Sequence, residues 1–161
     1  MAQLTHLNLS SNRLTVISCN LFAPLVNLER LLVRDNCIET IDVDSFSTLV
    51  KLNELDLAKN RLSSVSDKLF EKLTNLSILL LSSNRITGIE RCAFRNLINI
   101  KELDVSDNCL EELNLFFRTY NSEMLFNFSF NDLKWAKLCF EEKNFSRPKI
   151  NFASNSFRDI G

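Results

Sequence analysis

Residues 52–62 read Leu-Asn-Glu-Leu-Asp-Leu-Ala-Lys-Asn-Arg-Leu, and the reading of this one stretch decides the fold. Leu55 and Leu57 flank Asp56, so apolar and polar positions alternate with the two-residue period of a short strand. Asn60 ends the alternation, and its side-chain amide can satisfy backbone groups that a turn exposes. A unit this short cannot cover its own apolar side. It needs stacked neighbours of the same kind.

Outward from that stretch, the neighbours are present. Asn12, Asn36, Asn60, Asn84 and Asn108 recur every 24 residues; Asn131 follows after 23 and Asn155 after 24 more. Five residues before them stand Leu7, Leu31, Leu55, Leu79, Leu103, Phe126 and Ile150. Three before stand Leu9, Val33, Leu57, Leu81, Val105, Phe128 and Phe152; two after stand Leu14, Ile38, Leu62, Ile86, Leu110, Leu133 and Phe157. Leu4, Leu28, Leu52, Leu76 and Ile100 open the first five units. Further on, Phe22, Phe46, Phe70 and Phe94 align, as do Leu25, Leu49, Leu73 and Leu97. Columns in register at this period mark a stacked repeat.

The phrases Leu4–Leu14, Leu52–Leu62 and Leu76–Ile86 resemble the leucine-rich-repeat family, whose consensus the sequence follows closely through residue 100. The resemblance implies an α/β solenoid shaped as a horseshoe. Seven repeats would share a parallel concave sheet, opposite a largely irregular convex side. The Phe column would form a stacked core spine there. After Asn108 the pattern weakens. The opening position becomes Glu123 and then Arg147, and the spine position becomes Arg118 and Glu141, with Phe117 and Phe140 one residue earlier as substitutes. The last two turns are expected to keep their strands and lose regularity elsewhere, with a locally different convex side over residues 114–122. Residues 1–161 read as a single domain, uncapped at both ends. Nothing before Leu4 resembles a cap, and the seventh unit stops at Asp159-Ile160-Gly161, so an internal piece of a larger protein is expected.

In this family the residues between the core leucines point outward on the concave face. Here they include Arg30, Leu32, Arg34, Glu54, Asp56, Ile78, Leu80, Glu102 and Asp104, which are the candidate partner-binding residues. Adjacent strands lie about 4.8 Å apart, so Arg30 should face Glu54 directly. Arg30, Arg34, Asp35, Glu54, Asp56 and Lys59 form a mixed-charge cluster that can neutralise itself. Ile78 and Leu80 are different. They are aliphatic where the pattern offers no core, and apolar patches rimmed by polar groups often mark binding sites.

Composition limits the chemistry. Nineteen basic side chains stand against 20 acidic ones, a balance that argues against a nucleic-acid partner and leaves protein, or another macromolecular ligand, as the expected one. A single histidine, His6, cannot supply a multi-histidine metal site, and its place among the first residues leaves no nucleophile–base–orienter set to assemble around it; an isolated Gly88 and a terminal Gly161 cannot make a phosphate loop. No cofactor and no catalysis are expected. Glu102 and Asp104 form a carboxylate pair, but on an open strand without a cleft, which does not suit hydrolysis. No apolar run reaches the roughly 18 residues of a membrane span.

Cys19, Cys37, Cys92, Cys109 and Cys139 lack CxxC spacing. Cys37 and Cys109 share a column three repeats apart, and Cys92 and Cys139 share one two repeats apart. At about 4.8 Å per repeat neither pair comes within the roughly 7 Å a disulfide needs, so all five should be free within the chain. Sequons at Asn8, Asn75, Asn127 and Asn144 are no more than chance supplies in a chain this rich in Asn and Ser. The 24-residue unit with its Phe spine is similar to Toll-like receptor ectodomains and, more loosely, to insect leucine-rich immune proteins. That resemblance implies a recognition module in a receptor ectodomain or a secreted immune protein, hence an extracellular setting. The alternative is a cytoplasmic scaffold or enzyme-regulatory subunit on the same repeat.

Overall fold

The computed structural model describes residues 3–119, 123–141 and 148–157. In chain order the first strands are β1 (His6–Asn8), β2 (Val16–Ile17), β3 (Arg30–Leu32), β4 (Thr40–Ile41), β5 (Glu54–Asp56), β6 (Ser64–Val65) and β7 (Ile78–Leu80). They are followed by β8 (Gly88–Ile89), β9 (Glu102–Asp104), β10 (Glu112–Phe117), β11 (Leu125–Asn127), β12 (Trp135–Phe140) and β13 (Lys149–Asn151). No described residue is helical.

The odd-numbered strands form one parallel sheet in the order β1-β3-β5-β7-β9-β11-β13. Registers run straight across it: Leu7 faces Leu31, Leu31 faces Leu55, and so on through Phe126 and Ile150. Each leucine column is thereby buried against itself, and Leu31, Leu55, Leu79 and Leu103 have no exposed surface. At about 25 cal/mol per Å² of apolar surface, this burial is the main driving force of the fold.

The asparagines tie one repeat to the next. The Asn60 amide donates to the carbonyls of Leu57 and Ala58 in its own repeat and of Val33 in the previous one. Its Oδ1 accepts the Ile38 N–H at 3.0 Å. Asn36, Asn84, Asn108, Asn131 and Asn155 repeat the arrangement. A buried amide with every group satisfied is what the turn requires. The residue before each Asn is left-handed, with φ between 53° and 57° at Ser11, Asp35, Lys59, Ser83, Asp107, Phe130 and Ser154. None is glycine. The conformation is held because each N–H there, from Ser11 to Phe130, donates to a carbonyl of the following repeat.

Opposite the sheet, Phe22, Phe46, Phe70, Phe94 and Phe117 stack with centroids 6.4, 6.3, 6.2 and 6.2 Å apart. Paired strands are only about 4.8 Å apart. The spine side is therefore longer than the sheet side, and the stack bends so that the sheet lines its concave face.

The late repeats keep their strands, β11 and β13, and their other side is locally different, as expected, but the expected loss of regularity is corrected. Instead of losing order there, the chain forms its longest parallel pair, β10 with β12, in register from Glu112 opposite Trp135 to Phe117 opposite Phe140. The alternation Leu113, Leu115, Phe117 turns inward and buries all three. Phe117 takes the spine position and stacks on Phe140 at 5.5 Å. Glu123 does not enter the core. The adjacent Met124, fully buried, does, which absorbs the one-residue shortening of that repeat. Arg147, Asn144 and the final Asp159-Ile160-Gly161 lie outside the described residues, as do residues 120–122 of the expected variant segment.

Candidate functional site: the concave sheet face

The sheet presents two outward positions per strand, because side chains alternate and the central leucine is committed to the core. On β3 and β5 these positions carry Arg30, Leu32, Glu54 and Asp56. Arg30 meets Glu54 in a two-pronged contact, with Nε to Oε2 at 2.7 Å and a terminal nitrogen to Oε1 at 3.1 Å. Arg34 stands 3.9 Å from Asp56. The expected charge cluster therefore neutralises itself across the strands.

Asp56 is less exposed than an outward position implies, with only 8% of its surface accessible. Its carboxylate turns back to accept the Ala58 N–H at 2.9 Å. Burial raises its pKa above the ordinary value of 3.8; the Ala58 bond and Arg34 oppose the rise, and Glu54 and Asp104 add to it.

This side-chain turn is a feature of the column. Asn8 accepts from Ser10, Asp104 from Ser106, Asn127 from Ser129 and Asn151 from Ala153 in the same way, at 2.9–3.2 Å. The bond secures the chain where the strand ends. Leu32 and Leu80 occupy the same column and have no acceptor to offer. The positions two before each Asn, expected on the open face, are largely covered at Ala58, Ser106 and Ser129, because the turn folds them under.

On β7, Ile78 and Leu80 are half-exposed. Ile78 faces Glu54 on one side and Glu102 on the other; Leu80 faces Asp56 and Asp104. On β11, Leu125 lies between Glu102 and Lys149 and is 47% exposed. Among the described residues no ion pair reaches Glu102 or Asp104. The expectation that this pair stands without a cleft is corrected. A groove of about 280 Å³ runs over β9, β11 and β13, lined by Glu102, Asp104, Leu125, Asn127, Lys149 and Ile150 among others.

All nine candidate residues thus lie on or beside one face. Ile78, Leu80, Glu102 and Asp104 adjoin one another, and Arg30, Arg34, Glu54 and Asp56 form a separate paired cluster. Two exposed residues escaped selection from the sequence. Leu125 shares its column with Ile78, and that was the available signal. Phe130, 63% exposed and left-handed at φ 55°, is the aromatic in a column of otherwise small or charged residues.

Among the described residues, no cluster of His, Cys, Asp and Glu could hold a metal ion, and no helix is long and apolar enough to cross a membrane. Cys19, Cys37, Cys92, Cys109 and Cys139 are all free thiols.

No curated protein sequence matches the chain. Solved structures do. The Drosophila Toll–Spatzle complex, in its glycosylated form, matches with a TM-score of 0.77 at 23% identity, over 94% of this chain and 21% of that one. The complex of TLR13 with ssRNA13 matches with a TM-score of 0.64 at 32% identity, over 94% of this chain and 24% of that one. A chain of the octameric complex of Latrophilin 3, Unc5D and FLRT2 matches at 0.66 and 30% identity, over 80% and 40%. The chain therefore spans between about a fifth and two fifths of the chains it matches. One of these is a complex with RNA, so the fold lends no support to the expectation that nucleic acid is excluded as a partner. Leucine-rich-repeat family models match residues 3–25, 26–86 and 74–133. With its in-register leucine columns and asparagine ladder, the chain belongs to the leucine-rich-repeat family.

Proposed function

We propose that the chain is a non-catalytic protein-binding module of a receptor ectodomain or secreted recognition protein of the innate-immunity type, working through its concave face. The observation that carries this reading is the partly buried pair Ile78 and Leu80 on β7, on the outward side of a strand whose inward residue is fully buried. Aliphatics at the centre of a polar-rimmed face are typical anchors of protein interfaces. The likeness to Toll and to an FLRT2-containing complex, both described with protein partners, supports the same reading and an extracellular setting. A non-catalytic role is favoured by the place of the single His6, exposed on the edge strand β1 beside the Thr5 hydroxyl at 2.9 Å and outside the groove over β9, β11 and β13.

Five free thiols favour a second reading, a cytoplasmic scaffold or enzyme-regulatory subunit, since reducing compartments keep cysteines unpaired. A cleaved signal peptide and cysteine-rich caps in the full-length protein would select the first reading; a full-length protein lacking both would select the second.

The test is cross-linking of the full-length protein to its partner, followed by affinity measurement with Ile78→Ser/Leu80→Ser. Affinity should fall by about 2 kcal/mol or more, the scale of an interface hot spot, with the thermal transition retained. Unchanged affinity in a folded double variant would move the interface to the convex side or to β3 and β5.

A further inference from the structure

We infer that the strip formed by Ile78, Leu80, Glu102, Asp104 and Leu125 is built to receive a cationic segment of a protein partner, with Lys or Arg stems lying on the aliphatics and their charged heads on Glu102 and Asp104. This rests on the concave-face reading above and adds the chemistry of what binds.

Three observations carry it. Glu102 has an aliphatic neighbour on each side, Ile78 on β7 and Leu125 on β11, so no adjacent strand supplies a cation. Lys149 is two strands away, about 10 Å. Asp104 likewise sits between Leu80 and Asn127. On β3 and β5 the first of these columns places Arg30 against Glu54, while Leu32 faces Asp56 in the second; here no cation reaches either carboxylate among the described residues, and Asp104 Oδ1 accepts the Ser106 N–H and hydroxyl.

Leu80 also gives up a bond that the fold uses elsewhere. Five of the seven residues in its column accept the N–H two residues on. Leucine there, as at Leu32, forgoes that bond and is still only partly buried. Departures of that kind concentrate at functional positions.

Finally, the groove over β9, β11 and β13 places Glu102 and Asp104 beside Leu125 at its β9–β11 end, with Lys149 and Asn151 at the β13 end, so the acidic end is the one that adjoins Ile78 and Leu80. Lysine and arginine carry an apolar stem ending in a charge, which is the complement of that lining. A charge-assisted contact to a carboxylate already shielded by aliphatics is stronger than one in open water.

Asp104→Asn is a clean probe, because Asn127 and Asn151 make the same column bond with an amide oxygen. The ligand probe is a labelled dodecapeptide of alternating lysine and leucine, compared with glutamate–leucine and all-lysine peptides and with single-stranded oligoadenylate. Binding to the full-length protein is read by fluorescence anisotropy. The lysine–leucine peptide should bind, and Glu102→Gln/Asp104→Asn should weaken it by about tenfold or more, as should Ile78→Ser/Leu80→Ser. Glu39→Gln should leave it unchanged, since Glu39 lies outside the seven-stranded sheet and is paired with Arg61.

Failure of the lysine–leucine peptide to bind overturns the inference. So does equal binding of the glutamate–leucine or all-lysine peptide, or tighter binding of the oligoadenylate at the same strip. Once a partner is cross-linked, loss of affinity in the serine double variant but not in Glu102→Gln/Asp104→Asn would sink the cationic assignment and leave the concave-face reading standing. Loss in neither would sink both.

Discussion

Strands β3 and β5 and strands β7 to β11 are the same structure under two different faces. Beneath both, leucine columns are buried, asparagines bond in one pattern, and phenylalanines stack at 6.2–6.4 Å. Above, β3 and β5 pair arginine with carboxylate, whereas β7 to β11 alternate aliphatics with carboxylates that no cation reaches among the described residues. The core columns constrain every second residue of a strand and leave the rest free. Outward positions therefore diverge at little cost to the fold, and function is read there rather than in the repeat itself.

If the two regions share one scaffold, core changes should cost the same in each. Phe70→Ala and Phe94→Ala remove neighbouring members of the spine, each stacked on both sides. Each should cost about 3–5 kcal/mol in urea denaturation, agreeing within about 1 kcal/mol. A larger gap would mean that the regions differ in packing as well as in face.

The asparagines give a smaller effect of the same kind. Asn60→Ala and Asn84→Ala each remove three donations to carbonyls that keep a second partner, and each orphan one buried N–H, that of Ile38 or Leu62. The expected cost is about 1–3 kcal/mol apiece. A change within about 0.5 kcal/mol at Asn60 would remove the ladder from the account of stability.

The faces should differ where the cores do not. A double-mutant cycle on Arg30 and Glu54 should return a coupling of about 0–1 kcal/mol, because both groups remain accessible to water and salt. Coupling well above that would make β3 and β5 a structural clamp instead of a neutralised surface.

The last effect is one of sign. The folded-state pKa of Asp56 lies above the ordinary 3.8, so between those two values the folded state holds the extra proton. Stability is then lost as pH rises through that window and stays lost above it. Asp56→Asn keeps the bond to Ala58 and removes the charge, so it should be more stable than the parent at pH 7. That advantage should shrink toward about pH 3, where the parent carboxyl is protonated in both states. A variant less stable at pH 7 would show that Arg34 outweighs burial.

Much of this was legible in the chain. Spacing alone places all seven strands of the sheet, since the asparagines mark every turn and a two-residue alternation precedes each. Register follows too, because a one-residue slip would carry a whole leucine column to solvent. Of the nine candidate residues, eight lie on the strands their columns assign and Arg34 lies just past β3, while Asp56 is buried where its column predicted exposure.

The rest depended on what the chain does in three dimensions. Met124 takes the core place assigned to Glu123 because the one-residue shortening falls between it and Asn131; counted forward from Ile100 it is the next member of the opening column, and only the buried position decides between the two counts. Glu112–Phe117 and Trp135–Phe140 pair as the longest strands because stacking brings two alternating segments side by side, each of which alone resembles a loop. Asp56 is buried and Glu102 is open for a related reason. The periodic sequence determines which side of the sheet a residue takes, through local geometry that repeats with the chain. Whether it meets a partner there is decided by the neighbouring strand, some 24 residues away, and only stacking brings the two together.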